Sequence, residues 1–265
     1  MATEEPCTSQ MMSRSPSPPH QPPLEFTSDE SLSRFAVPLQ RYLRIHPELD
    51  AVAVGALVFA YIAPGAISVA AQHCYSKDNG YGNGDRTSGG DEGPSASEPA
   101  CDHILLIQRA AHDSFPLRWE IPGGSCDPDD PTILHGVGRE LWEETGLLMT
   151  AIRSAIGSGD VFFASSFLWG LRRVTKYTFE VEVVSAASAS EESQSSAVPE
   201  SNTTVPQVTL DPNEHQAYIW ATEEECRTKK KGQMELQFTT RDQEAAILAG
   251  FQWQKARRTL RMGAQ

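Results

Sequence analysis

Three glutamates lie close together in a stretch of sequence that is patterned as a helix. Glu140, Glu143 and Glu144 stand at i, i+3 and i+4, which places them on one helical face with neighbouring Cβ atoms about 5–6 Å apart. Three like charges at this spacing repel one another, and a hard divalent cation with oxygen ligands removes the repulsion. The pattern therefore indicates a metal site, although a solvated acidic helix face has the same spacing. Arg139 precedes Glu143 by four residues and can hold one carboxylate in its ionised form.

The residues around the glutamates predict the helix that carries them. Thr132 is a suitable N-cap, and Gly146 suits the left-handed position that ends many helices. Between them an apolar stripe follows the helical period: Ile133, Val137 and Leu141, with Leu134 less strictly placed. We expect a helix of about four turns whose apolar stripe packs on a core.

A glycine pair precedes this helix, and together they resemble a known family. Gly123 and Gly124 follow a strand-like segment and, lacking side chains, let the backbone approach a ligand or ion closely. Residues 139–147 read Arg-Glu-Leu-Trp-Glu-Glu-Thr-Gly-Leu. This matches the core of the Nudix box, Arg-Glu-U-x-Glu-Glu-x-Gly-U with U apolar, and Pro122-Gly123-Gly124 stands upstream as in that family. The chain resembles the Nudix hydrolases over roughly residues 51–251.

The start of the box departs from the family pattern, which is Gly-x5-Glu-x7-Arg-Glu. Counting back from Arg139 puts Pro131 at the first glutamate, whereas counting forward from Gly124 puts Asp130 there. A one-residue insertion in the loop, with Asp129 or Asp130 in place of the glutamate, accounts for both counts. In the family that residue mainly supports the arginine, so the change bears on efficiency and geometry more than on the chemistry itself.

The resemblance implies a metal-dependent hydrolase that cleaves a diphosphate linkage in a nucleoside diphosphate derivative, with Mg²⁺ or Mn²⁺ as cofactor. It implies that the Gly123 carbonyl, Glu140, Glu143 and Glu144 hold the metal. Glu140 is the first candidate for general base, with Arg139 as its catalytic partner.

Residues outside the box are further candidates by the same resemblance. Glu214 is an alternative general base, and Arg109 and Gly124 are candidate contacts to the substrate. An exposed turn glutamate and an exposed strand-end arginine are the plain structural alternatives for Glu214 and Arg109. Positions 162–165 lack the proline or tyrosine that marks the ADP-ribose and dinucleoside polyphosphate subfamilies, so the substrate stays open within its class. A Nudix-fold binding or regulatory module with weak turnover is the alternative function, motivated by the altered box.

Charge and cysteine content narrow the partners and the compartment. A formal net charge of −13 argues against binding nucleic acid or an anionic membrane by bulk electrostatics, but not against a small nucleotide beside a metal ion. Five scattered cysteines without a C-x-x-C pair indicate a reducing compartment. Residues 1–23 have no apolar core and predict no signal peptide, so we expect a cytoplasmic or nuclear location. The oligomeric state stays open.

Low-complexity segments suggest the domain organisation. Residues 1–23 are rich in Pro and Ser and predict a disordered tail. Residues 24–262 predict a single Nudix domain interrupted by inserts at 77–100 and 185–206. The fold class that the resemblance implies is α/β, an α/β/α sandwich with a mixed β-sheet between helices.

Two segments allow two interpretations each. The 21 uncharged residues of 51–71 meet the length of a membrane span, but Pro64-Gly65 and the modest apolar content favour a buried strand. The final helix ends in four basic residues: Lys255, Arg257, Arg258 and Arg261. We interpret them as a solvated helix end, where cations complement the helix dipole, in preference to a nucleic-acid contact.

Overall fold

The computed structural model describes residues 24–62, 100–166, 170–185 and 205–263. Its helices are a 3₁₀ helix at Glu30–Phe35, α1 (Leu39–Ile45), α2 (Ile133–Thr145), α3 (Glu223–Thr228) and α4 (Arg241–Gly263). Its strands are β1 (Thr27–Ser28), β2 (Ala51–Ile62), β3 (Cys101–Arg109), β4 (Trp119–Glu120), β5 (Leu147–Ser166), β6 (Gly170–Ser185), β7 (His215–Thr222), β8 (Lys230–Lys231) and β9 (Met234–Glu235).

Seven of the described strands form one mixed sheet. The order is β1-β5-β6-β2-β3-β4, and β7 pairs with the other edge of β3. The β1–β5 and β2–β6 pairs are parallel, and the β5–β6, β2–β3, β3–β4 and β3–β7 pairs are antiparallel. The parallel pairing of β2 with β6 joins the β5–β6 hairpin to the strands that precede the glycine pair.

Helices cover both faces of this sheet. The α2 helix and the N-terminal helices share one apolar cluster with the sheet: Leu32, Leu39, Ile133, Val137, Leu141, Val52, Val54 and Phe179. The α4 helix shares a second cluster with the opposite face: Ile247, Phe251, Leu57, Leu106 and Ile121. Strand β2 supplies both clusters because successive side chains of a strand point to opposite faces. The predicted α/β/α sandwich with a mixed sheet is confirmed.

The helix predicted from the glutamate-bearing stretch is confirmed with its caps. The Thr132 hydroxyl accepts a hydrogen bond from the backbone of His135, and Gly146 ends the helix with φ 65°. The predicted apolar stripe is fully buried in the core, and the glutamates lie on another face of α2, which is directed at the glycine loop.

The N-terminal helical segment has two parts. Asp29 is the N-cap of the 3₁₀ helix, since its carboxylate accepts a hydrogen bond from the Ser31 backbone N–H. Pro38 separates this helix from α1, because proline disrupts the interior of a helix.

The basic residues at the end of α4 pair with carboxylates of neighbouring elements. Arg257 pairs with Glu180 and, at 2.8 Å, with Glu182, and its side chain is only 18% exposed. Arg258 contacts Asp102 at 2.6 Å and Lys255 pairs with Glu223, but these two side chains are 41% and 61% exposed. The favoured sequence interpretation was therefore wrong for Arg257, whereas Arg258 and Lys255 stay partly solvated. Periodicity along one helix does not show which carboxylates of the sheet lie beside it.

Several predictions fall on residues outside the described part of the chain. The tail of residues 1–23 and nearly all of the inserts at 77–100 and 185–206 lie there, so these predictions and the single domain at 24–262 stay predictions. The strand expected within residues 51–71 is β2, and residues 63–71 are also outside. None of the described helices combines the length and apolar content that a membrane span requires.

Arg257→Met should lower the free energy of unfolding by about 3 kcal/mol, because it leaves the carboxylate of Glu180, which is 2% exposed, without its cation. The matched control is Arg227→Met, which breaks an ion pair whose arginine is 54% exposed and should cost less than about 1 kcal/mol. Urea denaturation of both variants measures the difference. Equal losses would show that the buried carboxylate does not depend on Arg257.

Candidate active site

In the chain, the glycine pair follows β4 and precedes helix α2. In space, its loop lies beside strand β2 and is hydrogen-bonded to it. Val54 N–H donates to the Gly124 carbonyl and Ala56 N–H to the Pro122 carbonyl, both at 2.8 Å. Gly123 has φ 145°, and a Cβ built on it would lie 2.2 Å from the Val54 carbonyl oxygen. A Cβ on Gly124 would lie 2.5 Å from Oε2 of Glu140. Position 123 therefore requires glycine, for its backbone conformation and its contact with β2, whereas a side chain at position 124 would displace the Glu140 carboxylate.

Glu144 is the most buried of the three glutamates. Its residue is 5% exposed, and Oε2 accepts a hydrogen bond from the Gly123 N–H at 2.6 Å. Burial raises the pKa of the Glu144 carboxyl well above its usual value, and the Gly123 hydrogen bond opposes the shift. Its Oε1 lies 3.8 Å from Nε2 of His215. This carboxylate is held in one orientation by the backbone of the glycine loop.

Glu140 lies beside it with more access to solvent. Its side chain is 14% exposed, and Oε1 accepts from Nη1 of Arg139 at 3.0 Å. Burial raises the pKa of Glu140 to about 7; Arg139 lowers it, and the charges of Glu143 and Glu214 raise it further. A carboxyl with these surroundings resists ionisation until a cation approaches.

Arg139 joins the helix to the loop. Its Nε and Nη2 donate to Asp130 at 2.9 and 3.0 Å, a bidentate pair, and Nη2 also donates to the Ser125 carbonyl at 2.9 Å. Asp130 is buried, whereas Asp129 is exposed. Of the two alternatives for the altered box, Asp130 therefore occupies the arginine-supporting position.

Glu143 is separated from the other two glutamates. Its side chain is 47% exposed and pairs with Nη1 of Arg139 at 3.0 Å. The helical face thus divides, with Glu140 and Glu144 directed at the glycine loop and Glu143 at its rim. The predicted contact between Arg139 and Glu143 is confirmed.

A buried chain of charges behind the glutamates was missed from sequence. Nη1 of Arg109 donates to Oε1 of Glu120 at 2.6 Å, and the same oxygen lies 3.3 Å from Nε2 of His215. Arg109 also pairs with Asp113. The predicted substrate contact of Arg109 stays a prediction, and its guanidinium is held by two carboxylates here. The sequence did contain a signal for this buried charge, because Glu120 stands between two large apolar residues, Trp119 and Ile121. Both of these neighbours are buried in the structure.

Glu214 completes a group that can hold a cation. One ligand atom each from Glu144, Glu214 and His215 lie within 4.8 Å of one another. Glu214 itself is exposed at the turn before β7. Glu144 offers a buried carboxylate, Glu214 offers a second one nearby, and Glu140 offers a third that is half-buried. These groups suit a hard divalent ion, because such ions bind oxygen ligands that carry net negative charge. The donor set fits the metal that the box implies.

Comparison with known proteins places these residues in context. A family model of the NUDIX domain matches residues 98–239, more than half of the 265-residue chain. A comparison with curated proteins finds no match. Similar solved structures include the MutT protein of Methanosarcina mazei Go1, with 19% identity over 77% of this chain and 94% of that chain and a TM-score of 0.41. The MutT NUDIX hydrolase of Burkholderia pseudomallei has 16% identity over 74% of this chain and 95% of that chain, with a TM-score of 0.36.

Asp130→Asn should lower the free energy of unfolding by about 2–3 kcal/mol, because it removes the charge from a buried bidentate partner of Arg139. Glu143→Gln is the matched control, since it removes the charge from an exposed partner of the same guanidinium and should cost less than about 1 kcal/mol. Chemical denaturation of the metal-free proteins tests this. If Glu143→Gln costs as much as Asp130→Asn, Asp130 is not the main support of Arg139.

Proposed function

The chain belongs to the Nudix hydrolase family of pyrophosphohydrolases, and on that premise we propose that it cleaves the diphosphate linkage of a nucleoside diphosphate derivative with Mg²⁺ or Mn²⁺ bound. The observation that carries the proposal is the packing of Glu140 and Glu144 against Gly123 and Gly124, with Arg139 locked to Asp130. A small nucleotide substrate in the cytoplasm or nucleus agrees with the net charge and the cysteine pattern.

The metal would be held by the glutamates and the glycine loop. Glu140, Glu144 and the Gly123 carbonyl are the proposed ligands, with Glu143 at the rim of the same helix. The carbonyls on either side of Gly123 already pair with β2. When bound, Mg²⁺ or Mn²⁺ supplies positive charge to the diphosphate and acidifies water.

Two glutamates are candidates for the general base that accepts a proton from water. Glu140 is the better placed general base, because Glu144 is more deeply buried and committed to Gly123. The proton goes to Oε2 of Glu140, the oxygen that does not accept from Arg139. Glu214, exposed at the rim, is the second candidate for this role.

Binding of the substrate phosphates is assigned to Gly124 and Arg109. Gly124 carries no side chain that would keep a phosphate away from its backbone. Arg109 would reach a phosphate by exchanging its partner Asp113, whose side chain is 32% exposed, while keeping the buried Glu120. The guanidinium therefore needs no rearrangement of the core.

A substrate panel tests the activity against the binding-module alternative. Nucleotide sugars, dinucleotides and oxidised nucleotides are incubated with the purified chain and Mg²⁺, then with Mn²⁺, and the products are resolved by chromatography. We expect hydrolysis between two phosphates of at least one class. Tight binding without any product, in both metals, would overturn the proposal.

Glu144→Gln should reduce kcat by about 10²-fold or more while leaving the fold intact, because it keeps the side-chain volume and the acceptor for Gly123 but removes the charge. Glu224→Gln, a change in an exposed glutamate on α3, is the control and should keep full activity. Steady-state kinetics and circular dichroism report the two properties separately. An unchanged kcat in Glu144→Gln would count directly against the assigned site.

Mg²⁺ should raise the melting temperature by several degrees relative to EDTA, since binding to the folded state at 100 times Kd adds about 2.7 kcal/mol. KCl at the same ionic strength is the control for screening. Differential scanning calorimetry of the wild type and Glu144→Gln measures the shift, which should largely disappear in the variant. A shift of equal size in both proteins would place the metal elsewhere.

A further inference from the structure

Lys176 is a cation on β6 that the sequence pattern did not single out. It pairs in register with Ala53 on β2 and with Asp160 on β5. Its side chain passes over Gly55, where a built Cβ would lie 3.2 Å from Cε of Lys176 and 2.8 Å from Cδ1 of Ile121. Because Gly55 has no side chain, the Lys176 side chain has room to extend over it toward the glycine loop of the candidate active site.

The electrostatic surroundings of Lys176 are those of the active site. Burial, the largest effect, lowers the pKa of Lys176; the carboxylates of Glu120, Glu144 and Glu140 oppose this shift, and the Arg109 guanidinium adds to it. The side chain is partly buried. Within the described residues, Nζ of Lys176 makes no hydrogen bond and has no carboxylate oxygen within 4.0 Å, so the side-chain nitrogen stands near the acidic group without pairing with it.

A second charged residue on the same face of β6 is paired, in contrast to Lys176. Glu180, four residues along β6, pairs with Arg257 and accepts from Nε1 of Trp253 at 2.6 Å. Burial of a charge without a direct partner costs free energy, and the carboxylates near Lys176 offset this cost only without direct contact. An unpaired ammonium beside the active site is therefore better explained by a ligand than by packing.

We propose that Lys176 binds a phosphate oxygen of the substrate's diphosphate. The inference rests on the proposed function and extends it to a residue outside the Nudix box. A lysine in direct contact with Glu140 or Glu144 would compete with a metal ion for their oxygens. Because Nζ of Lys176 makes no ion pair with these carboxylates, it leaves their oxygens free and adds a compact point charge for the anion.

The alternative is that Lys176 only offsets the negative charge of Glu120, Glu140 and Glu144. The two roles differ in what removal of the charge does. A substrate-binding lysine is needed for anion affinity, whereas an offsetting lysine opposes the metal, so its removal should strengthen metal binding and leave anion affinity unchanged.

The test is calorimetric titration of the full chain with methylenediphosphonate, a non-hydrolysable diphosphate, in saturating Mg²⁺. Lys176→Met should weaken binding at least about tenfold. Lys230→Met, which removes the same charge from an exposed position, should bind like the wild type. Mn²⁺ affinity, followed by electron paramagnetic resonance, should not fall in Lys176→Met.

A second variant keeps the positive charge of Lys176 but displaces its side chain. Gly55→Ala places a methyl group against the Lys176 stem and Ile121, and it should weaken methylenediphosphonate binding in the same direction even if Lys176→Met folds poorly. Wild-type affinity in both variants overturns the inference, and so does a loss confined to Mn²⁺ binding. Failure of the substrate panel with retained, Lys176-dependent binding of the diphosphonate would instead overturn the hydrolase proposal alone.

Discussion

The close approach of the glycine loop to helix α2 is the constraint on which the site depends. The Gly123 N–H reaches the Glu144 carboxylate at 2.6 Å, and the missing side chain of Gly124 admits Glu140. A carboxylate buried this deeply is tolerated because a backbone donor replaces part of its lost hydration. The same loop is hydrogen-bonded to β2 on its other side, so strand, loop and helix cannot move independently.

The arginines of the site pair chiefly with carboxylates outside the proposed metal-binding group, although Nη1 of Arg139 also donates to Glu140 and Glu143. Arg139 is neutralised chiefly by Asp130, and Arg109 by Glu120 and Asp113. Glu140 and Glu144 are therefore held in place while most of their oxygens stay available to a cation. This separation of supporting pairs from ligand groups allows an acidic cluster to stay assembled in the folded protein and still attract a cation.

The β6 strand carries charges on the sheet face covered by α4, and their surroundings differ along its length. Near one end Glu180 is enclosed by Arg257 and Trp253, which anchor the final helix to the sheet. Toward the candidate active site Lys176 has no such paired partner and stands in the field of Glu120, Glu144 and Glu140. The same strand thus provides a stabilising ion pair and, by our proposal, a cation for the substrate. The difference is set by where α4 supplies partners.

The sequence by itself determined the local features: the caps and stripe of α2, the glycine pair, and the spacing of the three glutamates. These follow from helical period and capping chemistry, which act within a few residues. Only the tertiary structure decided between Asp129 and Asp130, separated Glu143 from its neighbours, and brought Glu120, His215 and Lys176 to the site. Those residues meet through the pairing of β3 with β7 and of β2 with β6, strands distant in the chain, and hydrophobic periodicity does not specify which charges such pairings bring together.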